Sequence, residues 1–208
     1  NDNFVVADLD LGLEKSKTLA LIGSNNSGKS VLLKIIAGVI DNDFGKIFFD
    51  GNEFDSKNTK LRKKICYIPS HNDLIPILSV YQNLLVYLNM FKNLTRVEAK
   101  NIVQNWIDIF DLNRISTKRV SLLRSEDIRL VSLCRAFIHQ PEILIMDMPT
   151  LGLDIKKQMF FWRKAQTVLK NCTIIYSSQD FNEVENFSDR ISFLNNGKIR
   201  LNGAISDL

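Results

Sequence analysis

The eight residues from Gly23 to Ser30 constrain this chain most, because they fit the pattern G-x-x-x-x-G-K-[ST]. The apolar run Thr18–Ile22 before them predicts a strand, and the apolar spacing after them predicts a helix that ends at Gly38. In that setting, backbone N–H groups and the helix N-terminus can surround a phosphate group. We therefore expect a phosphate-binding loop made of Gly23, Ser24, Asn25, Asn26, Ser27, Gly28, Lys29, Ser30 and Val31.

Three side chains predict how this loop holds a nucleotide and its metal ion. Lys29 is expected to reach the β- and γ-phosphates, and the Ser30 hydroxyl to bind Mg²⁺. Asp147 directly follows the apolar run Ile143–Met146, which predicts a buried strand. A carboxylate at the end of a buried strand needs a cation or hydrogen-bond donors, so we expect Asp147 to hold the metal through its coordination shell. These residues predict a nucleoside triphosphate and Mg²⁺ as the ligands.

The other apolar segments predict an α/β fold with a separate helical part. Short, wholly apolar runs such as Thr173–Tyr176 are typical of a parallel sheet that is covered on both faces. Between residues 71 and 140 the apolar spacing becomes helical, in the segments Val80–Phe91, Val97–Phe110 and Ile128–Ile138.

The C-terminal part and the domain boundaries follow from the same reading. Asn195-Asn196-Gly197, between two short apolar runs, predicts a tight hairpin and hence an antiparallel β portion. We expect a single domain over residues 1–208. Its P-loop core and β portion are expected at about 1–70 and 141–208, and its helical insert at about 71–140.

Composition and charge exclude several other classes. The chain has 45% hydrophobic and 24% charged residues, and its net charge of +4 is dispersed, which does not favour a nucleic-acid partner. Cys66, Cys134 and Cys172 are odd in number and far apart, which predicts reduced, buried thiols in a cytosolic protein. The start at Asn1, without an initiator methionine, favours a domain cut from a longer protein.

Further landmarks agree in order and spacing with the nucleotide-binding domain of ATP-binding cassette (ABC) transporters, which residues 9–205 resemble. These landmarks are Arg135-Ala136, Pro141, Pro149–Asp154, Ser188–Ile191 and Gly197–Ile199. The segments Pro69–Asn72 and Leu78–Leu84 are similar to the lipid-moving subfamily A and related exporters. The resemblance implies a domain on the cytoplasmic side of a membrane that docks on transmembrane domains and pairs head to tail with a second cassette.

The residues that this family uses for hydrolysis are replaced. The resemblance implies that Asp147 is the Walker B aspartate, followed by a glutamate, and that a histidine lies near the γ-phosphate. This chain has Met148 and Gln179 at the glutamate and histidine positions. A thioether cannot accept a proton, so a general-base contribution of roughly 10²–10⁴-fold is expected to be missing. Glutamine cannot transfer a proton near neutral pH. Ser70 stands where a longer glutamine normally senses Mg²⁺. With these three positions replaced, we assign no catalytic residue.

The signature loop, usually LSGGQ, is replaced as well. Counting back without gaps from Arg135-Ala136 places it at Leu123, Arg124, Ser125, Glu126 and Asp127. Two carboxylates near a γ-phosphate should weaken closure of the pair, and Arg124 should partly offset them. Placing the signature at Val120–Arg124 instead would require three inserted residues. The resemblance implies that a pair of cassettes builds each site from the nucleotide-binding residues of one chain and the signature loop of the other. Because both parts are altered here, we expect pairing with a different cassette rather than with a second copy.

The nucleotide pocket itself is changed less. Asn26 stands where the family usually has glycine, and asparagine tolerates a left-handed backbone well. Val31 replaces a threonine and loses one phosphate contact. Phe4 is the upstream aromatic residue available to stack on adenine.

Three functional classes are consistent with these features. The first is a transporter domain that couples ATP binding and dimerisation to a membrane partner, for lipid or other export, with weak or lost hydrolysis. The second is a regulatory or structural pseudo-ATPase, which shares every local feature. The third, a soluble ABC protein acting on ribosomes or DNA, would be marked by tandem cassettes or long heptad arms, and these 208 residues contain neither.

Overall fold

A computed structural model describes residues 6–7, 9–55 and 58–207, so Phe4 lies outside the described residues. The chain divides into two compact units. The first comprises Asn1–Tyr67, Glu142–Pro149 and Asn171–Leu208, and the second comprises Ile68–Pro141 and Thr150–Lys170. No helix within the described ranges is both long and apolar enough to cross a membrane.

The first unit is built on a six-stranded sheet and a small two-stranded ribbon. Within the described residues the strands are β1 (Thr18–Ile22), β2 (Phe48–Phe49), β3 (Asn52–Glu53), β4 (Ile65–Ile68), β5 (Ile143–Met146), β6 (Thr173–Ser178), β7 (Arg190–Asn195) and β8 (Lys198–Ala204). The large sheet has the order β4-β5-β6-β1-β7-β8, and β2 pairs with β3 in the ribbon. Strand β1 runs parallel to β6 and β7, and β5 runs parallel to β6. The predicted α/β fold class is confirmed.

The hairpin between β7 and β8 forms at its predicted position. Asn195 pairs with Lys198 across the turn. The two residues between them, Asn196 and Gly197, have φ angles of 46° and 72°. Both residue types tolerate this left-handed region, and a turn of this kind matches the twist of the antiparallel strands. The antiparallel β portion is therefore present as predicted.

Helices supply the rest of the regular structure. They are α1 (Lys29–Ile36), α2 (Thr59–Arg62), α3 (Val80–Phe91), α4 (Arg96–Ile109), α5 (Ser125–Phe137), α6 (Ile155–Val168) and α7 (Phe181–Phe187). The three predicted helices between residues 71 and 140 are confirmed as α3, α4 and α5. Capping boxes begin α3 at Ser79 and α4 at Thr95, each with a glutamine or glutamate three residues later. The second unit contains α6 as well, since it includes Thr150–Lys170.

The second unit has an aromatic core. The rings of Phe110 and Phe137 meet edge to face with centroids 5.4 Å apart, and Phe161 lies 5.7 Å from Phe137. Trp106 and Trp162 are also buried in this unit. Large apolar rings of this kind supply most of the burial that stabilises a small helical unit.

A buried histidine sits beside this core. His139 is 8% exposed, and its ring stacks on Phe91 with centroids 4.6 Å apart. Neither ring nitrogen has a hydrogen-bond partner among the described residues. Burial, together with the nearby charge of Lys92, lowers the pKa of His139 from 6.5 to about 4. The folded protein therefore holds this imidazole neutral at physiological pH.

This lowered pKa predicts a loss of stability in weak acid. Between about pH 6.5 and 4 the unfolded chain binds a proton at His139 and the folded chain does not, so unfolding becomes more favourable as the pH falls. The expected loss from this group is about 2 kcal/mol on going from pH 8 to pH 5. Urea unfolding at both pH values should show it in the wild type and not in His139→Phe. An identical pH dependence in the two proteins would contradict the assignment.

Candidate nucleotide-binding site

Polar groups form a row where one face of the parallel sheet ends. The residues Ile65, Ile145 and Ile175 of β4, β5 and β6 point to the core that packs against α1. Because side chains alternate along a strand, the residues two positions further lie on the same face. Those residues are Tyr67, Asp147 and Ser177. The carboxyl ends of parallel strands are where open α/β sheets bind ligands.

The loop that follows β1 approaches the sheet so closely that only glycine fits at its start. A Cβ added at Gly23 would lie 2.1 Å from the Leu194 carbonyl oxygen of β7. The loop is also tied to the hairpin, because Gly197 donates its N–H to the Ser27 carbonyl at 3.0 Å. Further along, Asn26 adopts φ 61° and Gly28 adopts φ 107°, where α1 begins. The backbone therefore curls into the shape that a phosphate cradle requires.

Lys29 places a positive charge at the centre of this loop. Its Nζ donates to the carbonyl oxygens of Gly23 and Ser24 at 2.8 Å each, and to Ser27 Oγ at 3.3 Å. Burial lowers the pKa of Lys29, while the negative charge of Asp147 raises it. The ammonium group and the N-terminus of α1 together make the loop attractive to an anion.

Asp147 and Met148 share one partner, Ser177. The Ser177 hydroxyl donates to Asp147 Oδ1 at 2.7 Å and accepts the Met148 N–H at 2.8 Å. All of Ser177 and all but 3% of Asp147 are buried, so this contact fixes the carboxylate. Met148 adopts φ 47°, a left-handed conformation that is unusual for a residue other than glycine. Sequence analysis missed Ser177 as a site residue, although its position two residues after Ile175 indicates the face on which it lies.

The oxygen atoms of Ser30 and Asp147 suit a magnesium ion that arrives with a nucleotide. Within the described part of the chain, no group of three or more His, Cys, Asp or Glu residues could hold a metal on its own. Mg²⁺ in phosphate sites usually takes one or two protein oxygens and keeps several water molecules. Ser30 lies in the first turn of α1, and Asp147 lies at the end of β5. These two residues would hold the ion, which neutralises phosphate charge when bound.

The residue at the histidine position binds to the loop itself. Gln179 follows β6 and donates a hydrogen bond from Nε2 to Asn25 Oδ1. The carboxylates that follow it already have partners within their own segment. Asp180 caps α7 by accepting the Asn182 N–H at 2.9 Å, and the buried Glu183 accepts the Ser178 hydroxyl. Ser70 belongs to the second unit, where it is exposed just after β4.

The loop predicted to correspond to the signature lies at the start of α5, in the second unit. Leu123 precedes the N-cap residue Arg124, and Ser125 is the first helical residue. Glu126 and Asp127 occupy the first turn, where negative charge stabilises a helix. Val120–Leu122 forms a separate 3₁₀ turn.

A lysine that sequence analysis did not identify offsets this acidic pair. Lys157 of α6 forms an ion pair with Glu126 and lies 3.6 Å from Asp127. The contact with Glu126, followed by the charge of Asp127, raises the pKa of Lys157. Arg124 is therefore not the only cation beside the two carboxylates. The sequence contains no local signal for this pairing, because Lys157 is about thirty positions away.

Comparison with known proteins identifies the family. Residues 6–151 match the ABC transporter family, which is most of the chain. This chain belongs to that family. The presence of the loop and of Asp147 at the ends of β1 and β5 agrees with this assignment.

Individual relatives and a solved structure are similar over nearly the whole chain. The Nod factor export ATP-binding protein I of Rhizobium etli is 32% identical over 209 residues, covering 100% of this chain and 66% of that protein. The molybdate/tungstate import ATP-binding protein WtpC of Thermococcus kodakarensis is 26% identical over 211 residues, covering 99% and 62%. This chain thus spans less than two thirds of the length of these relatives. The ATP-binding cassette MJ0796, solved as a dimer in a post-hydrolysis state with ADP and phosphate, has the same fold, with a TM-score of 0.89, 21% identity and 99% and 93% coverage.

The close approach of the loop to β7 predicts that Gly23→Ala weakens nucleotide binding. The added methyl group would collide with the Leu194 carbonyl and strain a backbone at φ 154°, so the loop must move. We expect an affinity loss of at least about tenfold for a fluorescent ATP analogue. Gly203→Ala is the matched control, since a Cβ there meets nothing within 4 Å. Wild-type affinity in Gly23→Ala would show that the loop does not need this approach.

Proposed function

We propose that this chain is the ATP-binding part of an ABC transporter that binds Mg²⁺–ATP and hydrolyses it slowly or not at all. The observation that carries this proposal is Met148, which directly follows the fixed carboxylate of Asp147. The loop, Lys29 and Asp147 supply the groups that bind a triphosphate and its metal ion. The thioether of Met148 supplies no group that accepts a proton from water.

The residues that follow β6 also support slow turnover. Gln179 is an amide that donates to Asn25, and it does not titrate near neutral pH. Asp180 and Glu183 accept hydrogen bonds from their own segment, as a cap of α7 and as the partner of Ser178. These contacts hold both carboxylates within the segment that follows β6.

The partners in this proposal are transmembrane domains and a second cassette, on the cytoplasmic side of a membrane. A pair of identical chains would combine two Met148 residues with two acidic signature-like loops, so a cassette of different sequence is the favoured partner. The ion pairs of Lys157 reduce the repulsion that Glu126 and Asp127 would exert on a phosphate. The segments Pro69–Asn72 and Leu78–Leu84 support export, including lipid export, as the direction of transport.

Nucleotide binding and phosphate release, measured on one preparation, test this proposal. We expect the wild type to bind a fluorescent ATP analogue in the presence of Mg²⁺ and to release little phosphate. Lys29→Ala should lose binding, because it removes the cation at the centre of the loop. Rapid phosphate release by the wild type would refute the proposal of slow turnover, and absence of binding would refute the proposal as a whole.

Substitution of Met148 separates the missing base from other causes of slow turnover. Met148→Glu restores a carboxylate at the same left-handed backbone position and should raise phosphate release by roughly tenfold or more. Met148→Gln is the matched control, since it has the same length and backbone demands without a basic oxygen. Equal rates in the two variants would show that the residue after Asp147 does not limit turnover.

A further inference from the structure

One hydroxyl in the polar row has no hydrogen-bond partner in the described part of the chain. The Oη atom of Tyr67 is buried from solvent, and no described residue offers it a hydrogen bond. The neighbouring members of the row differ, because Asp147 and Ser177 are bonded to each other. Buried hydroxyl groups are nearly always paired, so an exception at the edge of a ligand site requires an explanation.

The position of Tyr67 points to the ligand site. Tyr67 is the third residue of β4, and its ring packs against the core between the sheet and α1. Strand β4 is the neighbour of β5, which leads into Asp147. Burial, followed by the negative charge of Asp147, raises the pKa of Tyr67 to about 12. The phenol therefore stays neutral at physiological pH, and its oxygen can accept a hydrogen bond.

We infer that Tyr67 is a positioning residue whose hydroxyl oxygen accepts a hydrogen bond from a water molecule of the Mg²⁺ shell when the magnesium complex of a nucleoside triphosphate binds. This inference rests on the proposed function, because it needs the ion that Ser30 and Asp147 would hold. Magnesium keeps several of its waters in such sites, and those waters donate hydrogen bonds to protein oxygens. A tyrosine reaches further than the short side chain of Ser70, which stands at the position where the family has its metal-sensing glutamine.

A second tyrosine in the same unit provides the matched control. The Tyr176 hydroxyl is also buried, and it is bonded to Ser188 Oγ at 2.8 Å. Its strand position is one residue before Ser177, so its side chain lies on the opposite face of the sheet from the polar row. Tyr176→Phe therefore removes a paired hydroxyl outside the row, and Tyr67→Phe removes the hydroxyl that lacks a partner.

The test combines the stability of the nucleotide-free protein with nucleotide affinity measured with Mg²⁺ and with EDTA. Without nucleotide, Tyr67→Phe should raise the melting temperature by about 2–4 °C, since it removes an unsatisfied group, whereas Tyr176→Phe should lower it. For a fluorescent ATP analogue, the gain in affinity on adding Mg²⁺ should fall roughly tenfold in Tyr67→Phe. Tyr176→Phe should keep the full gain, and affinity in EDTA should be equal in all three proteins.

Each other outcome overturns the inference. If Tyr67→Phe keeps the wild-type gain on adding Mg²⁺, the hydroxyl does not face the metal shell. If affinity falls equally with Mg²⁺ and with EDTA, the hydroxyl contacts the nucleotide or supports the pocket in another way. In both cases the wild type still binds nucleotide, so the proposed function stands. If the wild type binds no nucleotide at all, the proposed function fails and this inference fails with it.

Discussion

The close approach between the loop and the sheet is the constraint on which the site depends. A Cβ atom added at Gly23 would lie 2.1 Å from the Leu194 carbonyl oxygen, so the first residue of the loop cannot carry a side chain. The close packing of Gly23 on β7 and the Gly197–Ser27 hydrogen bond hold the loop at the ends of the parallel strands. Lys29 can then fold back onto the carbonyl oxygens of its own loop, and α1 can pack its apolar face on the sheet.

The site divides into a part made of backbone and a part made of single side chains. Phosphate binding relies on successive N–H groups and a helix N-terminus, which tolerate changes such as Asn26 at a glycine position. In the proposed function, Met148 and Gln179 stand where the family uses a carboxylate and an imidazole for proton transfer. Both replacements fit their surroundings, because Met148 keeps its N–H bond to Ser177 and Gln179 bonds to Asn25. The loop therefore folds without a carboxylate or an imidazole at these two positions.

How much of this could be predicted from sequence depends on the distance between the residues involved. The strand, loop and helix from Thr18 to Ile36 follow from a local pattern, and so do the three helices of the second unit and the hairpin at Asn196. The contacts of Ser177, Tyr67 and Lys157 do not follow from any local pattern in the sequence. Ser177 meets Asp147 only because β6 lies beside β5, and local spacing says nothing about strand order. Lys157 meets Glu126 through the packing of two helices, which periodicity alone leaves open.

The first turns of α1 and α5 carry charges of opposite sign. Helix α1 begins at Gly28, has no acidic residue in its first turn and carries Lys29 there, so its dipole and charge are available to an external anion. Helix α5 begins beside Glu126 and Asp127, so its dipole is balanced by carboxylates of the same chain. Acidic residues in a first turn stabilise a helix, whereas the glycines of the usual signature destabilise it by about 1 kcal/mol each. Under the proposed function, this loop would gain helix stability from such replacements, and the single charge of Lys157 offsets part of the negative charge of the two carboxylates.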